Sequence, residues 1–211
     1  MLKIWGRKNS VNVEKVLWCA LELDLLCERI DAGGTFGVVD TPAFRALNPR
    51  GLVPVIEDGD VVLWESNTII RYLAARYGAD RLIPTDPAAR AQVERWMDLQ
   101  LGAIAPAFSP MFLGLVRTAP AARDMELITR SFGTVAANLT VVDAGLVDGR
   151  PFLTGPAFTV ADIALGSVAH RWFNLPLDGT GLTRPALPHL AAWYERLKAR
   201  PAAAQLFSPL T

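Results

Sequence analysis

The sequence has few of the residues that build metal centres or disulfide networks. Its 211 residues include only two cysteines and two histidines. Cys19 and Cys27 do not form a C-x-x-C pair, and we interpret them as reduced, partly buried small hydrophobes. His170 and His189 lie far apart, without a carboxylate or thiol cluster beside either one. We therefore predict no metal site. The sequence also lacks the G-x-S-x-G turn that serves a histidine base, which argues against a serine hydrolase.

The sequence also lacks an excess of charge of either sign. It contains 21 basic and 21 acidic residues, for a formal net charge of +0. A neutral chain offers no electrostatic footprint to nucleic acid or to an anionic membrane, so neither is expected as a partner. No apolar run is expected to reach the length of a membrane span, and the first residues lack the pattern of a secretory signal. These absences predict a cytoplasmic protein.

The first third of the chain alternates between strand and helix patterns. Asp58-Gly59 stands between two apolar runs and is a strong hairpin signal. A strand, a helix and a second strand in this order predict a right-handed βαβ unit. The predicted order is strand 2–5, a helix from about residue 13, strand 27–31, helix 42–47, strands 53–56 and 61–63, and a helix from Ser66. This βαβαββα order is typical of a thioredoxin-like fold with a mixed sheet.

The rest of the chain changes to a helical period. Two prolines, Pro84 and Pro87, favour a linker at residues 79–87. Beyond it we predict helices over 88–116, 123–146 and 188–200, the first interrupted near Pro106 and Pro110 and the last stopped by Pro201.

A further helix is predicted to begin at residue 159. Thr159 and Asp162 have the spacing of a capping box, and Phe158 can pack onto Ile163 as a hydrophobic staple. We interpret this motif as structural, with a stabilising effect of about 1 kcal/mol.

Residues 48–67 contain four signals in a fixed order. Pro49 and Gly51 form a loop, and Val53 before Pro54 is pushed towards extended geometry. If that peptide bond is cis, the Val53 N–H and C=O would face solvent and could pair with a bound peptide as an added strand. Ser66 then opens a helix whose N-terminus favours an anion, beside Glu65, which could take an ammonium group. The order predicts a site for a small peptide with a carboxylate and an amine.

The motif Asn48-Pro-x-Gly-x-Val-Pro54, followed by Glu65-Ser66, resembles the glutathione site of soluble glutathione S-transferases. The resemblance extends over nearly the whole chain. It implies an α/β thioredoxin-like N-terminal domain at residues 1–78, a linker at 79–87 and an all-α domain at 88–211. It also implies a homodimer with no cofactor, in which glutathione is a co-substrate.

The resemblance also implies roles for individual residues. Val53 would align the cysteinyl backbone of glutathione, while Glu65 would hold the amino group and Ser66 the carboxylate of its γ-glutamyl arm. The alternative is a capping serine after a strand-end glutamate, which needs no ligand. Arg50 would either meet the glycyl carboxylate or remain a solvated loop charge.

The opening of the first helix supplies the candidates for activating sulfur. A free thiol has a pKa of about 8.5, and a donor aimed at the sulfur lowers it. In the resembled family a hydroxyl has this role, and the matching residue is Ser10, as in the serine-type classes. Asn12 or Asn9 could donate through an amide instead, and all three could be helix caps only. No tyrosine or cysteine occurs there, which disfavours the tyrosine-type and glutaredoxin-like branches.

The second substrate is expected in a cleft between the two domains. Phe108, Met111 and Phe112 are the candidates for its lining, although core packing is an alternative for each. The resemblance implies a glutathione transferase of the EC 2.5.1.18 type with a role in detoxification, and an apolar pocket would suit an apolar electrophile. The alternative is a protein of the same fold that binds glutathione or an apolar ligand without turnover, or that serves as an interaction module.

Overall fold

The computed structural model describes residues 1–211 and begins with a four-stranded mixed sheet. The strand order is β2-β1-β3-β4, with β1 parallel to β2 and antiparallel to β3. The hairpin predicted at Asp58-Gly59 joins β3 to β4, and Gly59 takes the positive φ of 62° that the turn needs. The strands are β1 (Leu2–Trp5), β2 (Cys27–Ile30), β3 (Val55–Asp58) and β4 (Val61–Trp64). Strand β3 therefore begins two residues later than predicted.

Three helices complete this part of the molecule. They are α1 (Val11–Glu22), α2 (Pro42–Leu47) and α3 (Ser66–Tyr77). The βαβαββα order is the predicted one and defines a thioredoxin-like fold. Helix α1 packs between α3 on one side and the helical part of the chain on the other. It is therefore buried on nearly every face rather than along a single stripe.

The remainder of the chain is helical, as predicted. The helices are α4 (Pro87–Leu99), α5 (Ala105–Phe112), α6 (Met125–Ala144), α7 (Val160–Asn174), α8 (Pro188–Lys198) and α9 (Pro201–Leu206). Helix α9 corrects the sequence prediction, which ended helical structure at Pro201. Proline at the first position of a helix loses no hydrogen bond, because the N–H there has no partner within the helix. Pro201 thus separates α8 from α9 and also begins α9.

The prolines at 106 and 110 do not break the helical stretch that contains them. Two π-helical turns, Gln100–Ile104 and Leu113–Arg117, adjoin α5 on either side. Proline donates no backbone hydrogen bond, and a π-helical turn shifts the bonding pattern by one residue. The helical stretch can therefore continue past both prolines. The resulting stretch Pro87–Arg117 is 31 residues long and has the length and composition of a membrane span, which corrects the expectation that no such run exists. Core helices of soluble proteins can have the same length and apolar composition. Here α4 packs on α7 and α5 packs on α6, so this stretch contacts other helices of the protein.

The start of α7 is held by a buried carboxylate. Asp162 accepts from the Thr159 N–H at 2.9 Å and from the Thr159 hydroxyl at 3.1 Å. Its other oxygen accepts from the Leu153 N–H at 3.0 Å and from the indole N–H of Trp193 at 2.9 Å. Asp162 therefore does more than cap α7, because it also ties that helix to α8 and to the preceding loop.

The hydrophobic core is continuous across both parts of the chain. A single cluster of 49 buried residues extends from β1 to α9. A buried ion pair crosses the same boundary, between Glu14 of α1 and Arg171 of α7, with a closest N–O distance of 2.9 Å. Cys19 is buried in the core with its thiol 3.7 Å from the Ile70 carbonyl oxygen, Cys27 is half-buried, and neither forms a disulfide.

Candidate functional site

A cavity of about 370 Å³ lies between the sheet domain and the helical domain. One wall is the loop from β1 into α1, and a second is the backbone around residues 51–53. The third wall is the face of α5 that carries Phe108 and Phe112. The cavity therefore brings polar groups of the first domain opposite aromatic side chains of the second.

Ser10 occupies the end of α1 that faces this cavity. It is the N-cap residue, and its carbonyl oxygen accepts from the Glu14 N–H at 2.9 Å. Its hydroxyl makes no capping bond or other hydrogen bond within the protein, although the residue is buried. The hydroxyl is therefore free to donate to a ligand at a helix N-terminus, where the dipole favours negative charge.

Asn12 and Asn9, the alternatives to Ser10, lie on the same wall with different partners. Asn12 accepts through Oδ1 from the hydroxyl of Ser66 at 3.2 Å, and its Nδ2 group has no protein acceptor. Asn9 donates through Nδ2 to the hydroxyl of Thr211 at 2.9 Å. Ser10 and Asn12 thus have no protein acceptor for their donors, whereas one N–H of the Asn9 amide is already engaged.

Val53 presents unpaired backbone to the same cavity. Its bond to Pro54 is cis. Strand pairing begins at Val55, opposite Trp5, and neither the Val53 N–H nor its C=O has a hydrogen-bond partner in the protein. The backbone here is available to an extended peptide, which is the arrangement that the sequence analysis required.

Glu65 and Ser66 lie at the start of α3, next to Asn12 rather than on the cavity wall itself. Glu65 has a positive φ of 70° and forms an ion pair with Arg50. Arg50 is exposed, and this pair engages one of its guanidinium nitrogens. Its two predicted roles, contact with the glycyl carboxylate or a solvated loop charge, stay predictions. The first N–H groups of α3 precede its first intrahelical bond, from the Ile69 N–H to the Glu65 carbonyl oxygen at 2.9 Å. They remain available to an anion.

Two of the three predicted lining residues face the cavity. Phe108 and Phe112 line it, and their ring centroids are 6.1 Å apart. Met111 does not line it, because its side chain is fully buried in the core. Its predicted role in the second-substrate pocket is therefore wrong. Ser109 and Leu113, which were not predicted, lie on the cavity wall with the two phenylalanines.

The sequence analysis missed three arginines that line the cavity. They are Arg7, Arg117 and Arg171. Arg171 is neutralised by Glu14. Arg7 makes no side-chain hydrogen bond or ion pair, and Arg117 donates to the backbone oxygen of Thr211 at 3.1 and 3.3 Å. No local motif marks these residues, because they come together only in the folded chain.

A buried lysine of α1 donates a hydrogen bond to the first turn of α3. Lys15 donates to Asn67 Oδ1 at 3.0 Å and approaches Gln100 Oε1 at 3.3 Å. Asn67 in turn donates to Gln100 at 3.1 Å and to the Met97 carbonyl oxygen at 3.2 Å. Burial, followed by the charge of Arg171, lowers the pKa of Lys15 to about 7. This network holds Asn67, the residue next to Ser66, and no sequence motif marks it.

Comparison with known proteins identifies the family of the chain. Family models of the glutathione S-transferase N-terminal domain and C-terminal domain match residues 6–81 and 125–196. The chain is 43% identical to glutathione S-transferase GstB of Escherichia coli over 204 residues, which cover 96% of this chain and 95% of that protein. It is 35% identical to glutathione S-transferase 3 of Zea mays, over 95% of this chain and 90% of that protein.

A solved structure gives the same result. The theta class glutathione S-transferase of Xanthomonas axonopodis pv. citri with glutathione bound aligns with a TM-score of 0.93 and 47% identity. The alignment covers 100% of this chain and 99% of that one. The chain belongs to the glutathione S-transferase family.

Proposed function

We propose that this protein catalyses attack of the glutathione thiolate on an electrophilic carbon. The observation that carries the proposal is the free hydroxyl of Ser10, at the N-terminus of α1 and on the wall of the interdomain cavity. The unpaired backbone of Val53 on the same wall supports it. A thiol donor, a peptide-binding edge and an aromatic surface in one cavity provide what a thiol transferase needs.

Glutathione would bind along the first domain. The Val53 N–H and C=O would pair with the cysteinyl residue, as one strand pairs with another. The first turn of α3 and the Ser66 hydroxyl would hold the γ-glutamyl carboxylate, and Glu65 would take the amino group. The hydroxyl of Ser66 donates to Asn12 in the free protein, so part of this role requires it to exchange partners.

Ser10 would then stabilise the sulfur as a thiolate. A hydroxyl donor and the positive end of α1 both favour the charged form, so the pKa of the bound thiol falls below its usual value of about 8.5. The thiolate attacks the electrophile against Phe108 and Phe112. Asn12, whose amide is free, is the second candidate for this donor role.

An ultraviolet difference titration of bound glutathione tests the proposal. The wild-type protein should show a thiolate pKa well below that of the free thiol. Ser10→Ala should return it towards about 8.5 and lower kcat/KM at neutral pH by about 10- to 100-fold. The loss should shrink at higher pH, because the thiolate then forms without help.

Asn12→Ala and Asn9→Ala are the matched controls in the same loop. We expect a smaller effect for Asn12→Ala than for Ser10→Ala, and none for Asn9→Ala. Unchanged conjugation by both Ser10→Ala and Asn12→Ala would reject the donor assignment. Binding of glutathione with an unshifted pKa would instead indicate a glutathione carrier.

We further propose a homodimer. Exposed apolar side chains at Leu52, Val62 and Trp64 support it, because Val62 and Trp64 share one face of the edge strand β4. Light scattering should then give about twice the chain mass of 22.9 kDa. A mass equal to that of one chain would reject the dimer.

We also propose that the protein works in the cytoplasm and that its role is detoxification of electrophiles of the EC 2.5.1.18 type. Two free cysteines suit a reducing compartment. Fractionation of the producing cell, with the protein detected by antibody, tests the location. A survival assay with an added electrophile in cells with and without the protein tests the role.

A further inference from the structure

The cavity carries positive charge that acidic residues balance only in part. Three arginines line it, and no aspartate or glutamate does. The Glu14 carboxylate already neutralises Arg171, which leaves Arg7 and Arg117. The chain as a whole has a net charge of +0, so this excess is local to the cavity.

Arg7 is held in place although its guanidinium has no acceptor. Its side chain lies over the backbone of Gly33 and Gly34, where an added Cβ at Gly34 would approach the Arg7 Cδ to 3.1 Å. Burial, followed by the charge of Arg117, lowers the pKa of Arg7 below its usual value. The two guanidinium groups line the same cavity and are close enough to repel each other. All five N–H donors of Arg7 are free, whereas Arg117 already uses Nε and Nη2 on the Thr211 oxygen.

Arg117 approaches from the other domain. It belongs to the π-helical turn Leu113–Arg117, and its guanidinium lies 5.5 Å from the ring centroid of Phe112. Arg117 therefore sits at the aromatic half of the cavity, opposite the peptide edge at Val53. Arg7 lies closer to the peptide edge, because an added Cβ at Gly33 would be 3.4 Å both from Arg7 Nη1 and from the Val53 methyl carbons. The two guanidinium groups therefore connect the glutathione half of the cavity to its aromatic half, and Arg117 is the one that lies on the electrophile side.

We propose that the electrophile taken by this site carries a carboxylate, which binds between Arg7 and Arg117 while an apolar body lies against Phe108 and Phe112. The inference rests on the proposed transferase function and specifies its substrate class. It replaces the predicted apolar electrophile with one that is apolar at one end and anionic at the other. Charge-assisted hydrogen bonds to two guanidinium groups would orient the reacting carbon towards the sulfur.

A pair of aryl chlorides of the same shape, one anionic and one neutral, provides the test. Each kcat/KM is divided by the uncatalysed rate constant with glutathione, because the carboxamide activates the ring more than the carboxylate does. In 4-chloro-3-nitrobenzoate and 4-chloro-3-nitrobenzamide, the thiolate sulfur bonds to the ring carbon and chloride leaves with its bonding electrons. We expect wild-type kcat/KM to favour the benzoate by about 10-fold or more, with a preference that falls as salt is added.

Substitution of either arginine should remove the preference. Arg7→Gln and Arg117→Gln should each raise KM for the benzoate by about 10-fold and leave KM for glutathione and the benzamide rate within about two-fold. Arg7→Lys should retain part of the preference. Arg95→Gln is the matched control, because Arg95 is an exposed arginine outside the cavity.

Several outcomes would overturn the inference. A rise in KM for glutathione with an unchanged benzoate preference would place the arginines on glutathione. Equal losses on both electrophiles would mean that the arginines only support the fold, and a wild type that prefers the benzamide would exclude an anion site.

A protein that is not a transferase would give results different from those of a transferase that lacks the anion site. In that case neither chloride would react and bound glutathione would show no thiolate shift. Calorimetry with the two S-aryl glutathione conjugates would still test the arginines, since tighter binding of the carboxylate conjugate supports the inference and equal binding rejects it.

Discussion

Lys15 shows how much a single residue can depend on its surroundings. It is fully buried in α1, and its two hydrogen-bond partners are amide oxygens rather than carboxylates. Burial first, and then the charge of Arg171, lowers its pKa to about 7, against about 10.4 in an unfolded chain. Between these values the unfolded chain binds more protons than the folded one. This group therefore makes the free energy of unfolding rise with pH over that window.

The variant Lys15→Met tests this dependence. It removes the titrating group and keeps an unbranched apolar stem. From about pH 6 to about pH 9, the stability of the wild-type protein relative to Lys15→Met should increase, because the penalty on the buried charge fades. Urea unfolding monitored by fluorescence gives the two curves. Lys8→Met, at an exposed lysine, should run parallel to the wild type. Parallel curves for Lys15→Met would show that Lys15 does not titrate there.

At the scale of elements, the start of α7 depends on one carboxylate. Asp162 accepts four hydrogen bonds, and its removal would leave buried donors of Leu153, Thr159 and Trp193 without partners. We expect Asp162→Ala to lower the free energy of unfolding by about 3–5 kcal/mol. Thermal and urea denaturation measure the loss.

A second helix start provides the control for that prediction. Asp124 caps α6 with one exposed hydrogen bond, from the Leu127 N–H at 2.9 Å. Asp124→Ala should cost only about 1 kcal/mol. Equal losses at the two positions would mean that Asp162 acts as an ordinary cap.

Elements with local signals were predicted well, and those set by tertiary packing were not. The hairpin at Asp58-Gly59 and the helix start at Ser66 follow from turn and cap chemistry, and both are observed. The π-helical turn at 100–104 adds a residue to one turn and rotates the positions that follow it. A 3.6-residue period read across that turn cannot assign faces reliably. Within α5 the apolar residue types do not distinguish the cavity face from the core face, and Met111 lies on the core face.

The same distinction applies to the site. Ser10, Val53 and Ser66 belong to short motifs with a physical meaning, so the sequence could nominate them. The Arg7–Arg117 and Lys15–Gln100 pairs join residues far apart in the chain, where no spacing rule applies. The ion pair between Arg50 and Glu65 was missed for the same reason.

At the scale of the whole molecule, the two domains are joined by more than their linker. The core of 49 residues extends across both, and the Glu14–Arg171 pair is buried between them. We therefore expect a single unfolding transition, with tryptophan fluorescence and circular dichroism changing together. Two separate transitions would show that the domains are stable independently.

The buried pair gives a second whole-molecule prediction. Glu14→Gln leaves the Arg171 charge buried without a counter-charge, and should cost about 3–5 kcal/mol. The double variant Glu14→Leu/Arg171→Leu removes both charges and should recover much of that loss. Urea denaturation of the single and double variants measures the coupling. A double variant less stable than Glu14→Gln would mean that the pair itself stabilises the interface.

The two free cysteines determine how readily the protein itself would react with electrophiles. Burial, and then the charge of Glu22, holds the pKa of Cys19 well above its usual range, and burial also raises the pKa of Cys27. Only the thiolate is an effective nucleophile. The protein's own sulfurs thus stay protonated while the sulfur of its bound peptide is activated. A reagent that enters the cavity is consumed by the replaceable co-substrate, and the polypeptide is spared from alkylating itself over successive turnovers.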